Sequence, residues 1–454
     1  MRNPLLVPDL RELIQAGESA ALREFFRDQH PARAAEMIED LEPEEGDMIL
    51  SWLEPRTRAE VMSYLPMDRQ VQIVEKLPPA DAAALLHHMS HDERADLVNH
   101  LDEERVEQIL PRLAQAERED IRRLASYEPG TAGAVMTTDY VALPPHLTVR
   151  EALDRIRHEA PDRETIYYNY VIDPQRRLIG FVSLKSLILA RPSATIESIM
   201  QKDVIYARVD ENQETVARRI DQYDLLAIPV IDAADMLVGI VTHDDAADIL
   251  RREQTEDLLA FGGVSATTQG EDPPYWQVRV GSAVRRRINW LLMLFVAENF
   301  TYPVLHYFNW VEKRYEALGW FVPLLIGTGG NAGSQSVGTI IRALALGEVT
   351  PRDAARVILR EWLIGLLLGL ALGAVGFVYA RYWRVQPWNI SAVIGLTILG
   401  ICMWANFIGS LVPLLARRLG IDPAIVSAPL ISTLVDATGL VMYFTIAILL
   451  LIRI

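Results

Sequence analysis

The chain has 454 residues, with 44 basic and 60 acidic side chains and a formal net charge of −16. This length allows two or three domains, and the single cysteine, Cys402, excludes an intrachain disulfide. The charge is uneven, because residues 285–454 hold 14 basic and 8 acidic side chains whereas residues 1–284 hold 30 and 52. An excess of carboxylates this large repels nucleic acid and anionic lipid and excludes nucleic acid as a partner. The acidic part is either a plain solvated surface or a surface that needs cations to stay compact.

An apolar residue recurs every 12 residues in the N-terminal part of the chain. The repeating residues are Leu41, Leu53, Leu65, Leu77, Met89, Leu101 and Leu113. Each one ends an apolar helical turn, and proline or a capping residue begins the next turn. Helices this short bury an apolar face only by stacking on one another. The repeat predicts an α-solenoid N domain over residues 1–130.

Two similar stretches follow the repeat and predict an α/β tandem over residues 131–252. The stretch led by Met136 is similar to the stretch led by Met200, and Gly180 aligns with Gly239 in the later strands. Each unit has the pattern helix, strand, strand, helix, and its "G-x-V-[ST]" strand resembles that of CBS modules.

The CBS resemblance implies a nucleotide site, because the Thr and Asp after the second strand often contact a ribose in such modules. Thr242 and Asp245 fit this pattern in the second unit, whereas Ser186 stands where the first unit would need an aspartate. One nucleotide site is therefore expected rather than two, and a purely structural tandem remains the alternative.

A connecting segment over residues 246–275 leads from the tandem towards the apolar half. It contains a predicted helix of about 16 residues that ends at Gly262-Gly263. Its acidic side chains are Asp248, Glu253, Glu256 and Asp257. This position suits a helix that transmits movement from a sensor to a pore.

Five apolar segments predict an all-α transmembrane domain of five helices over residues 276–454. They cover 288–308, 320–345, 357–382, 391–416 and 424–452. Each is long enough for a bilayer core, which needs about 20 residues of helix. Nine basic residues flank one side of these segments and five flank the other. Positive charge accumulates on the inside, so the N-terminal domains are expected in the cytoplasm.

The second apolar segment is unusually rich in glycine and polar side chains, among them Asn331. Close helix packing through small residues is one interpretation. The favoured interpretation is irregular backbone that lines a water-filled cavity, since lipid does not satisfy such groups. Asn406 and Pro413 in the fourth segment are expected to add an amide and a kink.

The last apolar segment contains one carboxylate, Asp436. A charged group at the bilayer centre costs roughly 2.5–3.5 kcal/mol on insertion scales, which favours a functional role. Asp422-Pro423 is predicted to begin this helix, and Pro429 is predicted to lie inside it and free a carbonyl group. Carboxylate, amide and carbonyl oxygens suit a hard cation, and Mg²⁺ would be held through its waters. Asp436 is a weak site alone and a stronger one as a pair across a dimer axis, whereas a protonated Asp436 bonded to a neighbouring helix is the structural alternative.

These features together resemble the MgtE family of magnesium channels over nearly the whole chain. The most specific stretches are "PLLIGTGGNAGSQSVGTIIRALALGEV" and "APLISTLVDATGLVMYF". The resemblance implies a multi-pass homodimer in the bacterial inner membrane, with its pore on the two-fold axis and hydrated Mg²⁺ at Asp436. We expect the pore lining to include Asn331, Asn406, Ser427 and Ala428.

The resemblance also implies that intracellular Mg²⁺ closes the pore by binding between the acidic domains. The candidate ligands are Asp92, Asp96, Glu214, Asp224, Asp245, Asp248, Glu253, Glu256 and Asp257. ATP is implied as a regulatory ligand of the CBS pair at Thr242 and Asp245. Elementary electrostatics supports closure by Mg²⁺. Crowded carboxylates repel one another without counterions, and the state that binds more ions is favoured as the ion concentration rises.

Two other function classes are weighed against the channel. A CBS-regulated secondary transporter of another divalent cation or solute would usually show an inverted repeat, which this sequence lacks. A membrane metalloprotease would carry H-E-x-x-H, which is also missing from the sequence. We therefore expect no enzymatic activity.

Overall fold

The computed structural model describes residues 7–265, 275 and 278–452. The chain forms two compact units, and the boundary falls within one helix, between Glu253 and Gln254. Residues 266–274 of the predicted connecting segment lie outside the described residues, as do the first six residues of the predicted N domain. Residues 276–277 and 453–454 of the predicted transmembrane domain also lie outside them.

Ten short helices open the described part of the first unit. They are α1 Val7–Ala16, α2 Ser19–Arg27, α3 Pro31–Glu39, α4 Pro43–Trp52, α5 Pro55–Ser63, α6 Met67–Lys76, α7 Pro79–His87, α8 His91–His100, α9 Glu103–Ile109 and α10 Gln115–Leu124. Four of them begin with proline, which suits the first helical position because its missing N–H would be unpaired there anyway. Alternate helices contact each other, as in α3 with α5, α5 with α7 and α6 with α8. The repeating apolar residues lie where successive helices end and are buried, except the half-buried Leu77.

Two three-stranded sheets with their helices follow, as the tandem pattern predicts. The first module contains β1 Ala142–Leu143, α11 Val149–Glu159, β2 Tyr168–Ile172, β3 Leu178–Ser183, α12 Leu184–Leu189 and α13 Ile196–Ile199. The second contains β4 Ala207–Arg208, α14 Gln213–Gln222, β5 Ala227–Ile231, β6 Leu237–Thr242 and α15 His243–Phe261. In each sheet the first pair of strands is parallel and the second pair is antiparallel.

The two methionines that lead the modules pack on the opposite module. A Cβ placed on Gly239 of β6 would lie 2.6 Å from Met136 Sδ, and one on Gly180 of β3 would lie 3.1 Å from Met200 Sδ. Backbone bridges Thr137–Ile240 and Phe181–Gln201 accompany these contacts. The two glycines therefore leave room for a segment that crosses from one module to the other.

The described residues of the second unit form six α-helices after α15. They are α16 Val280–Glu298, α17 Thr301–Arg314, α18 Val322–Ala345, α19 Ala354–Val378, α20 Trp388–Arg418 and α21 Ala428–Leu451. Four stretches of the described residues are long and apolar enough to cross a membrane: Val280–Arg314, Pro351–Trp383, Trp388–Arg418 and Ala428–Leu451. The first of these stretches comprises both α16 and α17. Helix α18 is not among the four, because its composition is not apolar enough.

Close approach of α19 to α20 depends on glycine, and this gives a stability prediction. A Cβ on Gly369 would lie 2.7 Å from the backbone oxygen of Leu399 and 2.9 Å from its Cα. Because backbone cannot yield as a flexible side chain does, Gly369→Ala should lower the free energy of unfolding by about 1–3 kcal/mol. Thermal unfolding of the purified full-length chain in detergent measures this. Gly281→Ala is the matched control, since nothing lies within 4 Å of its added Cβ, and equal melting temperatures for the two variants would contradict the prediction.

Candidate pore and acidic sensor

Asp436 lies in the interior of α21 and is half-buried. Its Oδ1 atom is buried and has no hydrogen-bond partner among the described residues. A buried carboxylate oxygen without a hydrogen-bond donor is costly.

Helix α18 packs against α21 beside Asp436. A Cβ on Gly330 would lie 3.9 Å from Asp436 Oδ1, and one on Gly333 would lie 3.0 Å from Ile431. The helix runs without interruption from Val322 to Ala345. The predicted irregular backbone is therefore wrong, and close packing through small residues is confirmed, because the glycines let two helices approach and do not break the helix.

One face of α18 is uncovered and polar. We call its exposed residues, one helical turn apart, the polar stripe: Gly327, Asn331, Gln335 and Thr339. The stripe includes the predicted pore residue Asn331. Amide side chains at membrane depth need water or protein beside them.

The start of α21 differs from the prediction. Pro423–Ile425 forms a short 3₁₀ turn, and the helix begins at Ala428 after Ser427, whose hydroxyl accepts a hydrogen bond from the Leu430 N–H at 3.4 Å. Pro429 is therefore the second residue of the helix, where its missing N–H costs nothing. The predictions of a cap at Asp422 and of a proline inside α21 are wrong, whereas Pro413 does lie inside α20.

Asn406 belongs to a buried polar group that joins α18, α19 and α20. Its side-chain amide donates to the Cys402 carbonyl at 2.8 Å. Ser336 Oγ lies 2.9 Å from Glu361 Oε2 and 3.2 Å from the Asn406 carbonyl oxygen. In the single chain Asn406 is a packing residue, and a pore-lining role for it remains a prediction.

In the first unit, α8 and the start of α15 bring several predicted ligands together. Asp92 and Asp96 are one turn apart on α8, and Asp245 is in the first turn of α15. Glu93, Asp244 and Glu164, which the sequence analysis did not select, act on the same carboxyls. We call these six residues the acidic cluster.

The acidic cluster holds its protons more tightly than free carboxylates do. Desolvation first, and then the charge of Glu93, raises the pKa of Asp92 to about 6. Desolvation and Asp92 raise the pKa of Asp96 to about 6, and desolvation and neighbouring carboxylates raise the pKa of Glu164 to about 7. Asp96 and Glu164 still have open surface, so water screens part of this effect. Burial, followed by the charge of Asp92, also raises the pKa of Asp245.

The described residues contain no group of three His, Cys, Asp or Glu side chains arranged to ligate one ion directly. Mg²⁺ usually keeps several of its waters and contacts protein through one or two carboxylates.

The remaining predicted ligands lie apart from the acidic cluster or at its edge. Asp248 acts electrostatically on Tyr64 together with Glu93 and Asp244, so it borders the cluster. Glu214 pairs with Arg218, and Glu253 accepts a hydrogen bond from Gln213 Nε2 at 3.2 Å.

Three further candidate ligands are Asp224 in the first unit and Glu256 and Asp257 in the second. Asp224 is exposed in a turn with a φ of 50°. Glu256 and Asp257 are half-buried on the part of α15 that belongs to the second unit. In that unit the end of α15 reaches α18, since a Cβ on Gly338 would lie 3.3 Å from the Phe261 ring.

The predicted nucleotide residues are adjacent at the end of β6. The hydroxyl of buried Thr242 donates to Asp245 Oδ2. At the equivalent place in the first module, Ser183 Oγ lies 2.8 Å from Ser186 Oγ. Only the second module therefore offers a carboxylate at this position.

Comparison with known proteins gives the same domain order. A divalent cation transporter family (MgtE) matches residues 322–446, the MgtE intracellular N domain matches residues 29–130, and CBS domains match residues 132–193 and 196–252. The magnesium transporter MgtE of Thermus thermophilus is 43% identical over 334 residues, which cover 74% of this chain and 73% of that protein. The chain belongs to the MgtE family. This confirms the resemblance found from the sequence and makes the chain a member of a transporter family.

Other MgtE proteins and solved structures are also similar to this chain. The magnesium transporter MgtE of Enterococcus faecalis is 37% identical and covers 73% of this chain and 71% of its own length. A crystal structure of the cytosolic domain of the Mg²⁺ channel MgtE in complex with ATP is 38% identical, with a TM-score of 0.52, and covers 54% of this chain and 100% of its own. The soluble part of a magnesium transporter gives 33% identity and the same TM-score, and covers 54% of this chain and 97% of its own.

Proposed function

We propose that this chain is a homodimeric channel that imports Mg²⁺ across a bacterial inner membrane and closes when intracellular Mg²⁺ binds its acidic cytoplasmic domains. The observation that carries the proposal is the unpartnered Oδ1 of Asp436, which lies beside glycine-rich α18. A divalent ion compensates such a group, and the waters of Mg²⁺ supply the hydrogen-bond donors it lacks.

The polar stripe of α18 supports a pore between two copies of the chain. Lipid would leave Asn331 and Gln335 unsatisfied, whereas a second copy facing the first would enclose them around water. The pore lining would then include Asn331 and, near the start of α21, Ser427 and Ala428. Two copies of Asp436 would double the negative charge that attracts the ion.

The same arrangement accounts for a fifth membrane helix. Helix α18 is too polar to qualify by composition, but α20 and α21 cover much of it, and the proposed pore would cover the rest. We therefore count α16 with α17 as one span and α18, α19, α20 and α21 as the others. The N domain is proposed to be a solenoid, because its alternate helices contact each other along the chain.

The acidic cluster supplies the proposed sensor. Its carboxylates raise one another's pKa, so bringing them together is unfavourable until a cation binds. Mg²⁺ between α8 and α15 would stabilise the closed state by its difference in affinity for the two states. ATP is proposed as a second regulatory ligand at Thr242 and Asp245, at one site per chain.

Ion flux into liposomes tests the function. The purified full-length chain should carry Mg²⁺ down an imposed potential, and removal of Mg²⁺ from the side of the acidic domains should increase the flux. Flux that requires a proton or sodium gradient would instead identify the secondary transporter that the sequence left as the alternative. Mg²⁺ flux no greater than that of empty liposomes would overturn the proposal.

The raised pKa values predict that acid opposes closure. Asp92 and Asp96 with pKa values of about 6, and Glu164 with about 7, gain protons as the pH falls from 7.5 to 6, and Mg²⁺ must displace them. The Mg²⁺ concentration for half-closure should rise about fivefold. Without divalent ions the sign is reversed for stability: protonation stabilises the cluster fully below about pH 4, the pKa range of an unfolded carboxyl, and this stabilisation is lost as the pH rises from there through about 6 to 7.

The measurement is the Mg²⁺ concentration that half-closes the channel, determined at each pH with Mg²⁺ added on the side of the acidic domains. Asp92→Asn with Asp96→Asn should weaken the pH dependence, because two of the titrating groups of the cluster are gone. A half-closing concentration that does not change with pH in the unmodified protein would contradict the prediction.

A further inference from the structure

Helix α19 has two different faces. The glycines Gly365, Gly369, Gly373 and Gly376 are buried, and a Cβ on any of them would contact α20 within 3 Å. The opposite face is apolar and exposed, for example at Leu367, Val375 and Val378. In a membrane protein this exposed face meets lipid.

The last turn of α19 forms a groove on the exposed face. The helix continues into a single π-helical turn, Tyr379–Trp383, and such turns are frequent at functional sites. A groove of about 390 Å³ is lined by Ala374, Val375, Val378, Tyr379, Tyr382 and Trp383. Its walls are apolar side chains and aromatic rings, which suit a hydrocarbon chain.

Two arginines border this groove. Arg384 Nε donates to the Tyr379 hydroxyl at 2.8 Å, and its guanidinium lies 5.5 Å from the Tyr379 ring centre. The Arg381 guanidinium lies 5.7 Å from the Tyr382 ring centre and 5.1 Å from that of Trp388. Both cations are thus held against rings of the groove or its edge.

Neither arginine has an acidic partner among residues 7–265, 275 and 278–452. No ion pair joins Arg381 or Arg384 to a carboxylate there, and Arg381 Nε is buried without a hydrogen-bond acceptor. Buried N–H donors normally find an acceptor. Two uncompensated guanidinium groups beside an apolar groove therefore call for an anion with a long apolar part.

An anionic phospholipid has this combination. Guanidinium groups bind phosphate oxygens in a bidentate manner, and tyrosine and tryptophan concentrate at the level of the headgroups. A zwitterionic lipid carries its own cation and would leave the two arginines without full charge compensation. The charge thus selects among lipids, while the groove selects lipids over free phosphate.

We propose that the groove at the end of α19, together with Arg381 and Arg384, binds one anionic phospholipid such as phosphatidylglycerol. The phosphate lies at the arginines and an acyl chain lies along Val375 and Val378. The site is on the face of α19 opposite the glycines that contact α20, and its occupancy does not require ion conduction.

Native mass spectrometry of the full-length chain, titrated with phosphatidylglycerol or phosphatidylcholine, tests the site. Wild type should retain phosphatidylglycerol more tightly. Arg381→Gln with Arg384→Gln should weaken phosphatidylglycerol binding by at least about tenfold, the loss expected for one charge-assisted hydrogen bond, and should change phosphatidylcholine binding little. Arg314→Gln is the matched control, since Arg314 also lies over a tyrosine, at 5.9 Å from the Tyr315 ring centre, but borders no part of this groove.

Three results would overturn the proposal. One is equal affinity of wild type for the two lipids, and another is unchanged phosphatidylglycerol binding by the double variant. The third is a change from dimer to monomer in that variant without loss of lipid, which would assign the face to a second copy of the chain. If the double variant does not reach the membrane, Ala374→Phe fills the groove and keeps both cations, and unchanged phosphatidylglycerol binding by that variant would equally overturn the proposal.

Discussion

Replacing Asp436 with asparagine is expected to remove nearly all Mg²⁺ influx while the protein still reaches the membrane. The substitution keeps the size of the side chain and removes the charge next to Gly330 on α18. Losing one carboxylate–divalent attraction costs on the order of 3 kcal/mol, which corresponds to about a hundredfold lower flux. Growth of a strain that lacks other Mg²⁺ uptake systems, and flux in liposomes, both measure the effect.

Two further variants make this result specific. Asp436→Glu keeps the charge and should retain part of the flux, which separates loss of charge from disturbance of packing. Glu348→Gln removes an exposed carboxylate of the same unit and should conduct normally. Normal uptake by Asp436→Asn would exclude Asp436 from the ion path.

Neutralising the acidic cluster should leave the channel open at Mg²⁺ concentrations that close the unmodified protein. Asp92→Asn, Asp96→Asn and Asp245→Asn together remove the charges that bind Mg²⁺, so the ion loses the difference in affinity that favours the closed state. The half-closing Mg²⁺ concentration should rise at least about tenfold, equal to ~1.4 kcal/mol of lost closing free energy. Single-channel recording with Mg²⁺ titrated on the side of the acidic domains gives this value.

A matched control separates the effect of the acidic cluster on closure from the effect of net charge. Glu75→Gln, Glu107→Gln and Asp221→Asn remove the same number of negative charges from exposed positions of the first unit and should leave closure unchanged. Equal closure curves for the two triple variants would show that the cluster is not the sensor. If Glu256→Gln with Asp257→Asn alone prevents closure, the sensor lies instead on the C-terminal part of α15.

Local rules predicted most elements but misplaced one helix start. Ser427-Ala428-Pro429 and Asp422-Pro423 both satisfy the rule of a capping residue followed by proline. Asp422 is exposed, whereas Ser427 is fully buried and its hydroxyl accepts a hydrogen bond from the following turn, and burial of a residue is not visible in a single sequence. The glycines of α18 were misread for a similar reason, since glycine breaks an isolated helix but permits close packing inside a bundle.

Some residues of the candidate sites could be selected from the sequence, and others only from the tertiary structure. Asp436 is conspicuous in the sequence because it is an isolated carboxylate in an apolar segment. Asp92 and Asp96 were inferred from the family resemblance. Glu164 lies in a loop between α11 and β2 and reaches the acidic cluster only through the tertiary fold. No spacing rule connects it to α8, so the sequence alone could not have selected it.

Each module of the α/β tandem contributes a methionine to the core of the other module. Met136 fills the space above Gly239, and Met200 fills the space above Gly180. Excising either module would strip an apolar side chain from the other and open a cavity there. The tandem should therefore unfold in one transition, and a protease that cuts within one module should release both halves for degradation together.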